Sequence, residues 1–417
     1  MALSMALREK ISSRLEDLTD DILVEILIRV PWRTTCRSKC ISKRFVSLIS
    51  SPDFVRRFRS NNNDDINNNL FMFVTRDRVS LLSKILTRLQ NFFPAATSSK
   101  STLVVDDNNN EIPVSFDFLR RQFPFFNVLS VSKDLVLIHD GEPNNGENLV
   151  ICNPLTKQSF KLPYNEFDQY TPYIGCLCSE DDTSIYKVVS SKFLDFGDIR
   201  IIKFVIFSSD TGCWSNFLVR IPSHAVYEVT CNYKMNQSAT VCNGKLHWCY
   251  STMNIVVYDP FNNPKKCEFV EFPQEIIDGD YIHSYDSFNL SSVQGCLRLY
   301  RASFHNINGA LILRFWDLKD YNNRVWSENL IDLSTMVFAE TRSCDIMEIK
   351  GFDPLDGDVV YAYVLPSMEL VALNIKTWSV FQTIANLKLN RPVPLVVTLF
   401  PYSQHSWPTP IAKTIAM

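Results

Sequence analysis

The first apolar run of the chain, LTDDILVEILIRVP at 18–31, has helical spacing but too many apolar positions for a one-sided helix. At about 100° per residue, the apolar side chains from Ile22 to Val30 sweep about 240° of the helical wheel, against roughly 100° for an ordinary surface helix. Thr19 is the expected N-cap, with Leu18 and Leu23 stapled across it. Asp20 and Asp21 suit the positive end of the helix, and Val30-Pro31 stops it. The next stretch, WRTTCRSKCISKRFVSLISSPDFVRRF (32–58), predicts two or three more short helices. They break near Ser42 or Lys43 and restart with Ser51 as N-cap and Pro52 at the first helical position. About forty residues seldom bury enough surface to stand alone. The surplus apolar surface therefore predicts a covering partner, and packing against the rest of the chain is the competing reading.

The pattern changes near residue 60. SNNNDDINNN (60–69) is too polar to bury and reads as a linker. VSLLSKILTRLQNFF (79–93) suits either a helix or a strand, and DDNNN (106–110) reads as a loop. Beyond, short runs of Val, Ile, Phe and Tyr alternate with Asn, Asp, Pro and Gly, as strands and turns do. LVICNPLTKQSFKLP, FVIFSSDTGCWSNF, IVVYDPFNNPKKCEFVEFP, LILRFWDLKDYNNRVW and ELVALNIKTWSVF share one form: apolar strand, polar turn, second strand. Anchored on Asn153, Ser208, Asp259, Asp317 and Asn374, they recur every fifty to sixty residues or so, a period suited to propeller blades. Each anchor is expected in a hairpin turn, bonding nearby amides. Tight hairpins are also expected at Gly244 and Gly295. The chain has 11 glycines and no Gly-Gly pair, and its one Trp-Asp pair is Trp316-Asp317, so a regular kelch or WD array is excluded. The expected fold is mainly β, an irregular propeller behind a small N-terminal α module, with a β-sandwich as the competing reading. Five repeats are visible. Residues 70–105 with LVVTLF (395–400) are expected to close a sixth or seventh blade.

Composition narrows the chemistry. At 46% hydrophobic and 21% charged, the chain has the make-up of a soluble globular protein. A net charge of −3 gives no general pull toward nucleic acid or anionic membranes. No apolar run reaches the roughly 18 residues of a membrane span, and MALSMALREKISSR lacks a signal-peptide core. The expected location is the nucleus or cytoplasm, where the 12 cysteines stay thiols. The run Arg33, Arg37, Lys39, Lys43, Arg44, Arg56, Arg57 and Arg59, opposed by Asp53 alone, suits an acidic partner surface or a solvated face. Walker A, GxSxG and HExxH patterns are absent. Cys242, His247 and Cys249 lack a second ligand pair at zinc spacing and read as core, and Cys36 with Cys40 as packing residues. In SSDTGCW (208–214), Asp210 and Gly212 are expected to fix a turn, with Trp214 between blades. EIIDGDY (275–281) and DPLDGD (353–358) supply acids that solvated turns explain. No catalytic residue, metal or cofactor is expected.

Residues 15–54 resemble an F-box, in LTDDILVEIL, in Val30-Pro31 and in KCISKRFVSLISSPDF, over forty or so residues without a gap. ICNPLTKQSFKLP, SSDTGCW and NGKLHW resemble pieces of the F-box-associated propellers common in plants. The resemblance implies a three-helix F-box (12–58), an Asn-rich linker (59–69), a kelch-like propeller (70–403) and a tail (404–417). It implies the non-catalytic substrate-recognition subunit of an SCF-type (cullin–RING) ubiquitin ligase. The F-box would dock on a Skp-type adaptor, and through it on cullin and RING subunits, while the propeller captures an unknown target protein. Leu18, Ile22, Leu23, Ile26, Leu27, Val30, Pro31, Cys40, Ile41 and Phe45 fall on positions that form the F-box core or touch the adaptor. Thr19 stands where proline is usual, Thr35, Cys36 and Ser38 where bulky apolar residues are usual, and Phe45 where tryptophan is common. These departures weaken the docking that the family implies. A propeller enzyme or glycan-binding protein acting outside the ligase is the alternative.

Overall fold

A computed structural model describes residues 18–61, 69–77, 102–105, 117–123, 126–140, 148–164, 173–180, 182, 184–196, 199–221, 238–249, 254–277, 288–304, 311–332, 346–365, 369–377, 379–386, 395–403 and 408–411. The chain divides into two compact units. One comprises residues 1–68 with 403–409, the other 69–402 with 410–417.

Among the described residues the first unit holds four short helices, within the three or four that the spacing predicts and one more than the F-box resemblance implies: α1 (Asp20–Leu27), α2 (Trp32–Ser38), α3 (Lys43–Ile49) and α4 (Pro52–Asn61). Thr19 takes the N-cap conformation, but its side chain makes no capping bond. The acidic pair Asp20 and Asp21 occupies the first turn instead. α1 ends sooner than its apolar run implies, at Leu27, and the Arg29 and Val30 amides close the tighter last turn on Ile26 and Leu27. Ser42 Oγ accepts from the Phe45 amide at 3.4 Å. Ser51 Oγ accepts from Phe54 at 3.2 Å and donates to Leu48 O at 2.9 Å, so the restart is capped as expected. Leu23, Leu27, Ile28, Phe45, Ile49, Phe54 and Phe58 form one core drawn from α1, α3 and α4 and the turn after α1. Each such burial is worth roughly 1.5–3 kcal/mol. Residues 59–61 belong to the last turn of α4, not to the linker.

The second unit contains five four-stranded antiparallel meanders. Blade 1 is β3 (Phe126–Ser132), β4 (Leu135–Asp140), β5 (Asn148–Asn153) and β6 (Gln158–Lys161). Blade 2 is β7 (Tyr173–Cys178), β8 (Tyr186–Asp195), β9 (Arg200–Ser208) and β10 (Cys213–Arg220). Blade 3 is β11 (Thr240–Cys242), β12 (Lys245–Cys249), β13 (Asn254–Tyr258) and β14 (Cys267–Glu271). Blade 4 is β15 (Asn289–Val293), β16 (Cys296–Phe304), β17 (Leu311–Asp320) and β18 (Val325–Asp332). Blade 5 is β19 (Ile346–Phe352), β20 (Val359–Leu365), β21 (Glu369–Asn374) and β22 (Ser379–Asn386). The count of full blades is therefore five, not six or seven. The chain ends do pair, but as a three-stranded sheet of β2 (Thr102–Val105), β1 (Asn69–Asp77) and β23 (Leu395–Ser403). The ambiguous 79–93 segment and the 106–110 loop lie outside the described residues.

Apolar clusters fill the space between successive sheets, which is what makes the array a propeller. Leu137 and Ile151 of blade 1 meet Cys176 and Val188 of blade 2. Phe204 of blade 2 stacks on Tyr258 of blade 3, with ring centroids 3.8 Å apart. Val257 meets Trp316 across blades 3 and 4, and Leu313 meets Val360 across blades 4 and 5. Phe400 of β23 packs with Val136 and Val150 of blade 1.

The turns follow side-chain chemistry. Asn153, Asp259 and Asn374 each accept two amides within three residues downstream, as the repeat predicts. Two anchors move. Ser208 ends β9, and Asp210 takes the turn, accepting the Thr211 amide at 2.9 Å. Asp317 lies inside β17, and Asp320 fixes the turn, accepting from Asn322 and Asn323 at 2.9 Å each. The hairpins at Gly244 and Gly295 are confirmed. Asn243 and Gly244, like Gln294 and Gly295, all have positive φ, as a two-residue primed turn requires.

Candidate partner-docking surface

The helical unit sorts the expected docking residues into three sets. Leu23, Leu27 and Phe45 are buried in its core and belong to the fold. Ile22 and Ile26, one turn apart on α1, are 47% and 46% exposed. Ile41 is also exposed, as are Pro31 and Cys40. Leu18 and Val30 are half-buried. Val46 of α3 is a further exposed apolar residue that the sequence reading did not single out. Its spacing from Phe45 and Ile49, which α3 turns inward, is the signal for it.

Exposed ion pairs lie over this core. Glu25 of α1 pairs with Arg29 at 3.1 Å and with Arg57 of α4. Arg44 pairs with Asp20 at 2.7 Å and bonds Leu18 O at 2.5 Å, which brings the start of α3 to the start of α1. Arg56 pairs with Asp53. Three members of the basic run thus meet acids of their own unit. Arg37 and Lys43 face solvent.

Thr35, where the resemblance favours a bulky apolar residue, is fully buried. Its hydroxyl proton has three carbonyls to choose from: Leu27 at 3.1 Å, Val30 at 3.2 Å and Pro31 at 3.4 Å. It closes the carbonyl end of α1, which lacks basic residues in its last turn. Its substitution therefore concerns folding rather than a contact face. Ser38 Oγ bonds back to Thr34 O at 3.0 Å. Burial raises the Cys36 thiol pKa, against the opposing Lys39 charge. Cys40 is exposed, and both cysteines are free thiols.

The remaining chemistry-bearing motifs are occupied by structure. His247 is fully buried, its Nδ1 3.3 Å from Thr240 O and its Nε2 3.1 Å from the Tyr321 hydroxyl. A carbonyl only accepts, so Nδ1 carries the proton and Tyr321 donates to Nε2. Desolvation lowers the His247 pKa to about 4, which keeps the ring neutral. Burial pushes the Cys249 thiol to about 12 and raises that of Cys242. Gly212 has φ +67°, and Trp214 donates from Nε1 to Pro163 O of the neighbouring blade at 2.9 Å. In DPLDGD, Asp353 accepts from Leu355 and Asp356 amides at 2.8 and 3.0 Å, and Asp358 pairs with Lys376 at 2.5 Å. Those acids fix a hairpin and its neighbour. Of EIIDGDY, Glu275 lies in the short helix α5 (Gln274–Ile277), and 278–281 lie outside the described residues.

Residues 114–390 match the family model described as F-box protein At3g26010-like, beta-propeller. The chain belongs to this family. The match spans the five four-stranded blades and leaves the helical unit outside it. No curated protein matches the sequence. Among solved structures, TolB from Acinetobacter baumannii is 8% identical at TM-score 0.37, with 84% of this chain and 72% of that chain covered. The Cps50 (Swd1) beta-propeller domain of Myceliophteria thermophila is 9% identical at TM-score 0.35, covering 69% of this chain and 80% of that one. Apo AztD from Citrobacter koseri is 9% identical at 0.35, covering 81% and 99%. Scores this low carry no inference about function.

Proposed function

We propose that this F-box-family chain is the substrate-recognition subunit of an SCF-type ubiquitin ligase. The helical unit serves as the F-box, docking on a Skp-type adaptor through Ile22, Ile26, Pro31, Cys40 and Ile41. The propeller captures the target protein, without catalysis of its own, in the nucleus or cytoplasm. The observation that carries the reading is the exposure of Ile22 and Ile26 on a helix whose other apolar face is already committed to a core. A soluble domain leaves such a pair open at a cost unless a partner covers it. The chain's membership in a family of F-box-protein propellers supports this class of partner.

The test is co-elution with a Skp-type adaptor by size exclusion after co-expression. Leu27→Asp is the wrong probe, because Leu27 is buried and its loss unfolds the unit. Ile22→Asp and Ile26→Asp keep the core and place a charge in the contact. The expected result is a stoichiometric wild-type complex whose Kd rises about a hundredfold in the double variant, with unchanged circular dichroism. A folded chain that forms no complex, or a double variant that binds as wild type, overturns the reading.

A further inference from the structure

Blade 2 ends in the longest regular outer edge among the described residues. β10 pairs with β9 from Cys213↔Ser208 to Arg220↔Ile201 with no bulge. The Ile221 amide continues the ladder to Arg200 O at 2.9 Å. The other outer strands are short, as β6 and β14 are with 4 and 5 residues, or their ladders shift register, once against β18 and twice against β22. Short strands and bulges are the usual guards against strand addition, and β10 has neither.

The Ile221 bond also fixes the parity of the ladder. Val219, Phe217 and Ser215 turn their backbone groups to β9, so Arg220, Leu218 and Asn216 turn theirs outward. The same alternation decides the faces. Phe217 and Val219 pack toward blade 3. Leu218 and Arg220 share the opposite face with Lys203 and Ile201 of β9 and Lys192 and Leu194 of β8. Leu218 is 64% exposed and Arg220 is exposed beside it. Past them, the β8–β9 hairpin carries Phe196 at its tip, 67% exposed. Among the described residues that face holds three cations and no carboxylate. The acid of the hairpin, Asp195, falls on the other face and pairs with Arg200 at 3.4 Å.

We propose that the open edge of β10 binds an extended acidic–apolar segment of a partner protein by strand addition. The partner's backbone bonds the outward groups of Asn216, Leu218 and Arg220. Its acidic side chains meet Arg220 and Lys203, and an apolar one covers Leu218. The inference rests on the reading of the propeller as the capturing part, and gives the captured segment a chemistry. Its test needs no adaptor, so failure here and failure of adaptor docking are read separately.

The probe is a short fluorescein-labelled peptide of repeating Glu-Ser-Val-Ser, which in a strand sets Glu and Val alternately along one face, with a Lys-Ser-Val-Ser repeat as control, titrated by anisotropy with the full chain. The expected result is binding of the acidic peptide alone, weakened about tenfold by Arg220→Glu and lost in high salt. Asn216→Pro removes an outward donor while leaving every β9–β10 bond in place, so it should weaken binding as much without shifting the unfolding transition. Absence of binding, equal binding of the two peptides, or an Asn216→Pro variant that binds as wild type would each overturn the proposal.

Discussion

Arg298 of β16 forms a two-point ion pair with Asp317 of β17, Nε to Oδ1 at 2.6 Å and Nη2 to Oδ2 at 3.1 Å, with both residues 6% exposed. The third guanidinium nitrogen reaches the next blade, Nη1 donating to Gly357 O at 2.8 Å. The guanidinium carbon also lies over the rings of Phe315 and Phe352, 4.2 and 4.4 Å from their centroids, and those rings meet each other at 5.2 Å. Blades 4 and 5 are thus joined by one guanidinium that pairs within blade 4, donates to blade 5 and packs on a ring from each.

Removing one partner leaves the other charge buried. Arg298→Met is expected to destabilise by about 3–5 kcal/mol, and Arg298→Met with Asp317→Leu by clearly less, because no uncompensated carboxylate remains. Denaturant unfolding of the single and double variants measures both. Desolvation raises the Asp317 pKa, but the Arg298 bonds and charge, with Lys319, outweigh it and hold the carboxyl below its usual value. The pair's contribution is therefore present above the unfolded-state pKa near 3.8 and lost as pH falls through the lower folded value.

The same aspartate shows where sequence reasoning ends. Asn153, Asp259 and Asn374 were legible as turn residues because their partners are amides within three positions. Asp317 sits beside the same Asn-rich turn, and its partner Arg298 is 19 residues away across a hairpin, which no local pattern records. Asp320, three residues on, holds the turn instead. The blade count failed at the chain ends: that residues 70–105 meet 395–400 was legible from their apolar runs, but the sheet they form has three strands, and no local pattern tells it from a full blade. In the helical unit, apolar spacing marked both Ile26 and Leu27. Only the docking of α3 and α4 decides that Leu27 is core and Ile26 surface.

His247 gives the protein an acid-side instability. Its folded pKa of about 4 lies below the unfolded value near 6.5, because burial excludes the charged ring. The neutral ring's contribution is complete above pH 6.5 and is lost as pH falls toward 4. The loss approaches about 3 kcal/mol. Urea unfolding at pH 7, 6 and 5 should show stability falling, and a His247→Gln variant should show a shallower fall over that range. Parallel slopes would mean another group governs the loss.

Thr35 gives the helical unit its own test. Thr35→Val keeps the shape and removes the donor to the Leu27, Val30 and Pro31 carbonyls, at an expected cost of about 1–2 kcal/mol. Thr35→Leu restores the bulk favoured in the F-box pattern but overfills a closed site, at an expected cost of about 1–3 kcal/mol. Thermal unfolding ranks the two. A Leu variant more stable than wild type would show that the site has room for the residue it lacks.

Gly175 of β7 is held by close approach. A Cβ there would lie 2.6 Å from Ala239 Cβ and 3.0 Å from Leu246 Cδ2. The neighbouring backbone is fixed at that spacing: Ala239 donates to Ile174 O at 2.9 Å, and Trp248 Nε1 reaches the same carbonyl at 3.4 Å. Blade 3 cannot retreat without giving up these bonds. Gly175→Ala is therefore expected to destabilise by about 2–3 kcal/mol, beyond the ordinary gain from replacing a strand glycine. Ala239→Gly removes the closer clash and should restore part of the loss, an interaction of at least about 1 kcal/mol in a double-mutant cycle. Additive single effects would mean that blades 2 and 3 yield at this contact, and that the glycine is held there by something other than its neighbour's methyl group.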